Sequence, residues 1–477
     1  MKKLCAIILC VLLCLTYMPS AFAKEEVLRV YNWQDYINEG KDDDGAKVDD
    51  SVIELWEQDY FKRTGKRVRV QYDTFETNET MLNTLRTGKT SYDLVCPSDY
   101  IIQKMLAATL SGDEESISIE KYDISRMTNY NKYVSPFISD LFRKNGWTDY
   151  AVGYMWGTVG FMYNPEKVNA EDVSTWDFFW NTDYKKRTTC KDVSRDAYVV
   201  GSLFVHSPEL RDAAEKYEKG EISPEELQQT VHKAANDTTD ANIAKVQEAL
   251  TELKENIYGF EVDSGKTDIV TGKIDANLAW SGDAVYAMDL AEEEDDKKLN
   301  FVIPREGSTI WFDGWVMPKG ANVELAQDFV DFLCRPDIAA MNMDYIGYTS
   351  AIAGDEIFDL AVENYHEDDG MYEHDLSYFF EGTLSPDKYT DGKVIIRTNE
   401  LGRQLTTQYP SYEEVIRCGI MEDFGDRNEK VLQMWSIVKS NNISAFSYVM
   451  MAMLALMAIG MIVSSIKRKL KKKKRRI

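Results

Sequence analysis

The sequence predicts an α/β protein that is exported and anchored in a membrane. Three observations indicate this: strand-like and helix-like segments alternate near the N-terminus, a short apolar run follows two initial lysines, and a longer uncharged run precedes a basic tail. The chain has 477 residues, of which 44% are hydrophobic and 12% aromatic. This composition excludes a disordered or collagen-like chain, and the length allows two or three folded units.

Residues 1–23 are typical of a signal peptide. Two lysines precede an apolar run that is too short for a permanent span, and the sequence Ala-Phe-Ala at 21–23 supplies the small residues that signal peptidase requires. No cysteine in this segment follows the small residue that a lipoprotein signal would need. We therefore expect cleavage after Ala23 and no acylation.

Residues 443–466 are predicted to form a transmembrane helix. These 24 residues carry no charge, and as a helix they would be about 36 Å long against a hydrocarbon core of about 30 Å. Nine basic residues follow in the tail 467–477, and the positive-inside rule keeps such a tail in the cytoplasm. The predicted location is the cell membrane, with a single span and an extracytoplasmic body.

The exported body is strongly acidic. The whole chain has 55 Lys and Arg against 80 Asp and Glu; without the nine tail charges, Lys2 and Lys3, the body has 44 against 80, a net charge of −36. A field of that sign repels nucleic acid and attracts small cations. We therefore expect no nucleic-acid partner, and contact with the membrane only through the C-terminal helix.

The first hundred exported residues alternate strands and helices. Short strands are predicted at 27–31, 67–72 and 92–96, with helices at 51–61 and 79–87 between them. Strand, helix, strand, helix, strand is the pattern of a parallel sheet with right-handed crossovers. The exported body is therefore predicted to be α/β.

The middle of the chain, from 208 to 258, is predicted to be helical and highly charged. Ser223, followed by a proline and two glutamates, is typical of a helix N-terminus, and an apolar stripe runs from Val246 to Ile257. The other predicted elements are strands at 276–280 and 301–304, a helix at 323–334 and a solvated acidic loop at 292–296.

The cysteines do not form a disulfide scaffold. Four remain after signal cleavage, far apart and without a Cys-x-x-Cys pair, which predicts buried small side chains and leaves one bridge possible. They are Cys96, Cys190, Cys334 and Cys418.

The sequence contains none of the common enzyme motifs in complete form. The stretches Gly-Lys-Thr at 88–90 and 265–267 lack the glycine that a phosphate-binding loop needs five positions earlier, and neither a Gly-x-Ser-x-Gly elbow nor a His-Glu-x-x-His motif occurs. His366 and His374, eight residues apart in an acidic stretch, are more typical of a surface loop than of a metal site. We expect no enzyme activity, no catalytic residue, no metal and no cofactor.

Aromatic residues accompany carboxylates just past the predicted strand ends. In open α/β sheets, ligands bind beyond the carboxyl ends of the strands, so these side chains are expected to converge. Rings and carboxylates suit a slender organic cation, because each cation–π contact contributes about 0.5 to 2 kcal/mol and each charged hydrogen bond about 1.5 to 3. The alternative is that the rings are core and the acids are helix caps. The residues are Trp33, Asp35, Tyr36, Ser98, Asp99, Tyr100, Trp280, Asp283, Trp311, Asp313 and Trp315.

Seven stretches resemble the successive signature motifs of the extracytoplasmic spermidine/putrescine-binding proteins of ABC importers. They occur in the family's order, and the resemblance runs from Val27 to Lys439. The stretches read VYNWQDYI, TFETNETMLNTL, YDLVCPSDY, YMWGTVGFMYN, NLAWSGDAVYAM, IWFDGWVMPKGA and IGYTSA.

The resemblance implies a two-lobed class II periplasmic-binding-protein fold with two interlobe crossovers. Lobe 1 would comprise 24–153 and 310–358, and lobe 2 would comprise 154–309 and 359–440. The implied aromatic box is Trp33, Tyr36, Trp280, Trp311 and Tyr348, with Ser98 and Tyr100 beside it. The implied acidic contacts are Asp313, Asp196 and Asp35.

Two departures from the family pattern leave the ligand open between putrescine and spermidine. Val193 stands where many spermidine binders have an aspartate, and Met421 stands where an amide is expected. The resemblance implies that the protein captures a polyamine and delivers it to the permease subunits of an ABC transporter. Two alternatives remain: a class II binding protein for another solute, and a polyamine sensor subunit.

Overall fold

The computed structural model describes residues 25–440 except 42–44, 89, 114–115 and 296, together with Met453. The predicted signal peptide at 1–23 and the basic tail at 467–477 lie outside the described residues, as does the predicted span at 443–466 apart from Met453. Among the helices that the structure describes, none combines the length and the apolar character needed to cross a bilayer.

Strands and helices alternate along the described chain. The strands are β1 (Glu26–Trp33), β2 (Val68–Phe75), β3 (Leu94–Val95), β4 (Val152–Tyr163), β5 (Thr188–Lys191), β6 (Gly259–Glu261), β7 (Ala276–Trp280), β8 (Asn300–Val302), β9 (Ser308–Trp315), β10 (Thr349–Ser350), β11 (Tyr372–Asp375), β12 (Ile395–Thr398) and β13 (Cys418–Ile420). The helices are α1 (Val52–Thr64), α2 (Asn78–Thr87), α3 (Asp99–Ser111), α4 (Thr128–Tyr133), α5 (Pro136–Lys144), α6 (Ala170–Val173), α7 (Ser194–Val205), α8 (Ser207–Glu218), α9 (Pro224–Ala235), α10 (Asp240–Asn256), α11 (Ser264–Val270), α12 (Ser281–Asp295), α13 (Val323–Leu333), α14 (Pro336–Ile346), α15 (Asp355–Tyr365), α16 (Ser377–Phe380), α17 (Gln404–Gln408), α18 (Tyr412–Val415) and α19 (Asn428–Ser440).

The N-terminal strands form the predicted parallel sheet. Its order is β2-β1-β3, and both pairings are parallel. Helix α1 connects β1 to β2 and begins with a capping box at Ser51. It ends at Gly65, which has a φ of 70°; glycine adopts this left-handed conformation without the steric cost that a Cβ would cause. The α/β prediction for this region is confirmed. Val95 and Val316 exchange backbone hydrogen bonds of 3.0 and 2.9 Å, which join this sheet to the segment after β9.

The larger sheet depends on two long neighbouring strands. Its order is β13-β9-β4-β7-β5-β6, and β8 and β10 also pair with β4. The first part of β4 pairs with β9 and β10, whereas the second part pairs with β7 and β8. Strand β9 likewise begins beside β13 and ends beside β4. Two antiparallel strands therefore run without a break between the two halves of the molecule.

The helical middle of the chain packs as a layer beside this sheet. A capping box at Ser223 starts α9, as predicted, and Val246, Leu250 and Leu253 of α10 are fully buried. Helix α10 packs against α7 and α19. A Cβ on Gly201 of α7 would lie 2.8 Å from Val246 Cγ1, so a glycine is required at this helix crossing.

Two sequence predictions about local structure are wrong. The acidic run at 292–296 was expected to be a solvated loop, but α12 continues through Asp295, and Glu292 forms an ion pair with Arg403, which favours an ordered helix here. Trp311 and Asp313 were expected beyond a strand end, but they lie inside β9. A strand shared by two halves is buried on both faces, so it lacks the simple alternation that marks a half-exposed strand.

His374 also departs from its prediction as part of a surface loop. It lies in β11, is 7% exposed, and its Nε2 lies 2.6 Å from the carbonyl oxygen of Tyr409. Among the described residues there is no cluster of three or more His, Cys, Asp or Glu side chains suited to a metal ion. The four cysteines are buried, as predicted, and all four are free, so the possible bridge is not formed.

Trp176 provides a test of the core around β4. It is fully buried, its indole N–H donates to the Gly307 carbonyl at 2.8 Å, and its ring centre lies 5.2 Å from that of Phe161. We expect Trp176→Ala to lower the free energy of unfolding by about 3–5 kcal/mol, because a large cavity forms and a carbonyl loses its donor. Urea denaturation followed by circular dichroism measures this. The exposed Tyr372→Ala is the control, and an equal effect of both changes would contradict the prediction.

Candidate functional site

The carboxylate of Asp313 lies at the centre of the first group of predicted residues. Its Oδ1 accepts a hydrogen bond from the Ser98 hydroxyl at 2.7 Å, and its Oδ2 accepts one from the Tyr36 hydroxyl at 2.9 Å. Ser98 precedes α3 and is held by the Asn78 amide, whose Nδ2 lies 3.1 Å from Ser98 Oγ. Burial raises the pKa of Asp313 to about 6, although both hydroxyls favour the charged form.

Three predicted aromatic residues form a wall beside Asp313. The ring of Tyr348 meets that of Tyr36 at 5.8 Å and that of Trp311 at 5.4 Å, both edge to face. Glycines allow this packing: a Cβ on Gly282 would lie 2.5 Å from the Tyr348 ring, and one on Gly157 would lie 2.7 Å from Trp311. The Trp311 indole N–H is buried and has no hydrogen-bond acceptor among the residues that the structure describes, so it can donate to a bound molecule.

Asp196 and Trp280 form a second group. Asp196 lies in the first turn of α7 and is 6% exposed, and Trp280 is the last residue of β7. Burial raises the pKa of Asp196 to about 6, opposed by the charges of Lys191 and Arg195 and by a hydrogen bond from the Trp280 indole. The pair is therefore a second buried carboxylate beside an aromatic ring.

Lys191, which the sequence reasoning missed, lies against Trp280. It is the last residue of β5 and is 1% exposed, and its Nζ lies 4.4 Å from the centre of the Trp280 ring. The same atom lies 3.1 Å from Asp283 Oδ2 and 3.6 Å from Glu261 Oε1. Burial alone would lower the pKa of Lys191, but the two carboxylates outweigh it and raise the pKa.

Asp283 connects the lysine to the aromatic wall. Its Oδ1 accepts a hydrogen bond from the Tyr348 hydroxyl at 2.8 Å and lies 3.3 Å from Lys266 Nζ. Burial opposes ionisation, but Lys191 and Lys266 hold the pKa of Asp283 below its ordinary value. Asp283 was predicted to lie beside Trp280 past a strand end but was not assigned to the binding site, and Lys191, which was missed, ends a parallel strand at the same sheet edge.

Trp33 and Asp35 make contacts away from Asp313, whereas Tyr100 is linked to Asp313 indirectly. The Trp33 ring packs on Phe75 at 4.6 Å, and the indole N–H of Trp33 is buried without an acceptor. Asp35 is exposed, has a φ of 52°, and accepts a hydrogen bond from Gln34 at 3.3 Å. The Tyr100 hydroxyl accepts from Asn78 at 2.9 Å. Hence Tyr100 is linked to Ser98 through the same amide, whereas Trp33 and Asp35 are not joined to Asp313 by these contacts.

Side chains from distant parts of the chain close over this region. The Arg195 guanidinium lies 4.0 Å from the Tyr100 ring centre and 4.2 Å from that of Phe424, between the two rings. The Gln103 amide donates to the Met421 carbonyl at 2.9 Å. The helix that carries Asp196 is therefore in contact with α3, and α3 is also in contact with the segment at 421–424.

The fold and this region define a class of protein before any comparison is made. Strands β4 and β9 link the two parts of the larger sheet, an architecture that matches a two-lobed solute-binding protein, and buried carboxylates lie beside aromatic rings in this region. The family model of bacterial extracellular solute-binding proteins matches residues 57–354, and the chain belongs to this family. The prediction that the chain is not an enzyme is confirmed, because the family binds solutes.

Curated relatives confirm the resemblance to spermidine/putrescine-binding proteins that the motifs predicted. The chain is 28% identical over 351 residues to the spermidine/putrescine-binding periplasmic protein of Salmonella typhimurium, covering 73% of this chain and 84% of the relative. It is also 28% identical over 358 residues to a putrescine-binding periplasmic protein of Pseudomonas aeruginosa, covering 73% of this chain and 84% of the relative.

Solved structures share the fold. A putative spermidine/putrescine ABC transporter protein from Listeria monocytogenes superposes with a TM-score of 0.59 at 23% identity, covering 88% of this chain and all of that one. A spermidine/putrescine substrate-binding protein from Streptococcus pneumoniae superposes with a TM-score of 0.57 at 22% identity, covering 87% of this chain and 99% of that one.

The raised pKa of Asp313 predicts a pH-dependent stability. A carboxyl with a folded pKa of about 6 binds protons more tightly in the folded state than in the unfolded state, so acidification below about pH 7 stabilises the fold. Relative to Asp313→Asn, we expect the wild type to gain about 1 kcal/mol between pH 7.5 and pH 5. Urea denaturation of both proteins at several pH values measures the difference.

Asp240→Asn is the control for this measurement. Lys430 and Arg427 lower the pKa of Asp240 to about 2, so this carboxylate stays ionised throughout the range. The difference in free energy of unfolding between Asp240→Asn and the wild type should not change between pH 5 and pH 7.5. A parallel response of both variants would contradict the assignment to Asp313.

Proposed function

We propose that this protein captures a polyamine outside the cytoplasm and delivers it to the permease subunits of an ABC transporter. The observation that carries the proposal is the carboxylate of Asp313, which is 7% exposed and whose two hydrogen-bond donors are uncharged hydroxyls. A buried anion is unfavourable unless a cation accompanies it. A ligand ammonium would supply that charge.

The surroundings of Asp313 select among cations. Tyr36, Trp311 and Tyr348 offer aromatic faces and edges that cover methylene groups and attract an ammonium, which a hydrated metal ion would not use. Their hydroxyl and indole groups add hydrogen-bonding capacity. The names of the curated relatives, which include spermidine and putrescine, support the same class of ligand.

The proposed mechanism is capture by closure of two lobes. Lobe 1 would consist of 24–153 and 310–358, and lobe 2 of 154–309 and 359–440, with β4 and β9 as the connection between them. Asp313 would then come from one lobe and Asp196 from the other, and a ligand with an ammonium at each end would draw both together. The closed form would be the shape that the permease recognises.

The proposed binding residues are the ten predicted from the sequence. Asp313, Asp196 and Asp35 would accept ammonium hydrogen bonds, and the rings and hydroxyls would line the slot. Trp33 and Asp35 would reach the ligand only from the rim. The residues are Trp33, Asp35, Tyr36, Ser98, Tyr100, Asp196, Trp280, Trp311, Asp313 and Tyr348.

Calorimetric titration of the full-length chain with putrescine, spermidine and a panel of sugars tests the function. We expect Asp313→Ala and Trp280→Ala each to weaken polyamine binding by about 2 kcal/mol or more, because the first removes a buried charge partner and the second removes the indole that hydrogen-bonds to Asp196. The exposed Asp149→Ala is the control. Unchanged polyamine affinity in both site variants would contradict the site, and binding of a sugar alone would favour another solute.

We also propose that residues 443–466 hold the protein in the membrane, with the tail 467–477 in the cytoplasm. The support is the uncharged length of this segment and the basic run that follows it. A tether raises the effective concentration of the binding domain near its permease.

Membrane fractionation tests the tether. We expect the full-length chain to stay in the membrane pellet after alkaline extraction, because a spanning helix is not released by loss of ionic contacts. A chain that ends at Ser440 should be recovered in the supernatant. Release of the full-length chain under the same conditions would contradict the tether.

A further inference from the structure

The side chain of Lys191 has the same chemistry as one end of the proposed ligand. A lysine side chain is an ammonium on a flexible four-carbon stem, which is the aminobutyl group found in putrescine and spermidine. Its Nζ lies 4.4 Å from the Trp280 ring centre, 3.1 Å from Asp283 Oδ2 and 3.6 Å from Glu261 Oε1. One aromatic face and two carboxylates are the partners expected for a bound ammonium.

This ammonium is enclosed within the protein. Lys191 is 1% exposed, and its Nζ also donates to the Val262 carbonyl at 2.8 Å. Three acceptors and one ring therefore surround a group that can donate three hydrogen bonds. A second ammonium at the same position would meet both the occupied acceptors and a like charge.

Lys191 is connected to the aromatic wall through the carboxylate of Asp283. Asp283 accepts from the Tyr348 hydroxyl at 2.8 Å, and the Tyr348 ring lies 5.8 Å from that of Tyr36, whose hydroxyl donates to Asp313. The ammonium thus lies at the end of the aromatic wall that begins at Asp313.

Charge neutralisation alone does not account for this placement. Lys266 also approaches Asp283, with its Nζ 3.3 Å from Oδ1, and it remains partly exposed. Of these two lysines, Lys191 is the one whose ammonium lies on the Trp280 ring. Unlike Lys266, Lys191 therefore covers the face of Trp280, a ring that we assign to the ligand site.

We propose that Lys191 determines specificity by filling one ammonium position of the binding site, so that the site accepts a short diamine in preference to a triamine. This inference rests on the proposed function, because it assumes that Trp280 lines a polyamine site. By this proposal a diamine such as putrescine needs only the positions at Asp313 and at Asp196. The third ammonium of spermidine would have to displace Lys191.

Calorimetric titration of the full-length chain with putrescine and spermidine tests the proposal. The wild type should bind putrescine more tightly than spermidine. In Lys191→Met, which keeps an unbranched apolar stem of four atoms and removes the ammonium, the ratio of the spermidine Kd to the putrescine Kd should fall by about tenfold or more. The added ammonium of spermidine then takes the vacated position between Trp280 and Asp283.

Two control variants separate occupancy from simple electrostatics. Lys266→Met removes the same charge from the same carboxylate but leaves the Trp280 ring covered, so the ratio should change by less than about threefold. Lys273 lies 4.8 Å from the Tyr258 ring centre and pairs with Asp268 far from this region, so Lys273→Met is a matched lysine on an aromatic ring. An equal fall of the ratio in Lys266→Met would overturn the proposal.

The fold of the test variants needs its own measurement, because Lys191→Met leaves Glu261 and Asp283 with less positive charge. Melting of the unliganded proteins, followed by tryptophan fluorescence, reports it, and the double variant Lys191→Met/Glu261→Gln removes the surplus negative charge. The wild type requires no substitution: if it binds spermidine about tenfold more tightly than putrescine, the proposal is wrong.

The outcomes distinguish this inference from the proposed function. If the wild type binds polyamines and the ratio is unchanged in Lys191→Met or in the double variant, the role of Lys191 is refuted and the function stands. If the wild type binds neither polyamine, the proposed function fails and the inference fails with it.

Discussion

The burial of Asp313 inside a strand shared by both halves of the protein is the constraint on which the site depends. Strand β9 places this carboxylate among neutral hydroxyls, where its ionised form is disfavoured and its pKa rises to about 6. Such a position costs free energy in the unliganded protein. A cation that enters the region would recover this energy, so a structural cost becomes a source of binding affinity.

The aromatic wall depends on close backbone packing at two glycines. Because Gly282 and Gly157 carry no Cβ, the rings of Tyr348 and Trp311 can lie directly against the backbone and edge to face with one another. Because the Tyr348 hydroxyl also donates to Asp283, a hydrogen bond joins the first turn of α12 to the aromatic wall. The shape of the slot is therefore set by backbone contacts as much as by the side chains that line it.

The opposite end of the region balances its charges internally. Lys191 and Lys266 compensate Asp283, whereas Asp313 relies on hydroxyl groups. This asymmetry distinguishes a carboxylate that is already paired from one for which we propose a ligand ammonium as the partner. Arg195, held between Tyr100 and Phe424, adds a contact between segments that are distant in the chain.

The sequence by itself determined the α/β class, the parallel N-terminal sheet and the motif residues around Asp313, because side-chain period, caps and ordered motifs are local properties. It misplaced Trp311 and Asp313 relative to their strand and misjudged the acidic run that ends α12, since both depend on partners distant in the chain. The sequence also did not indicate the role of Lys191, because a lysine at a strand end is ordinarily solvated and its partners are distant in the chain. Only the tertiary structure, by bringing Trp280 and Asp283 around its ammonium, decided that it is buried.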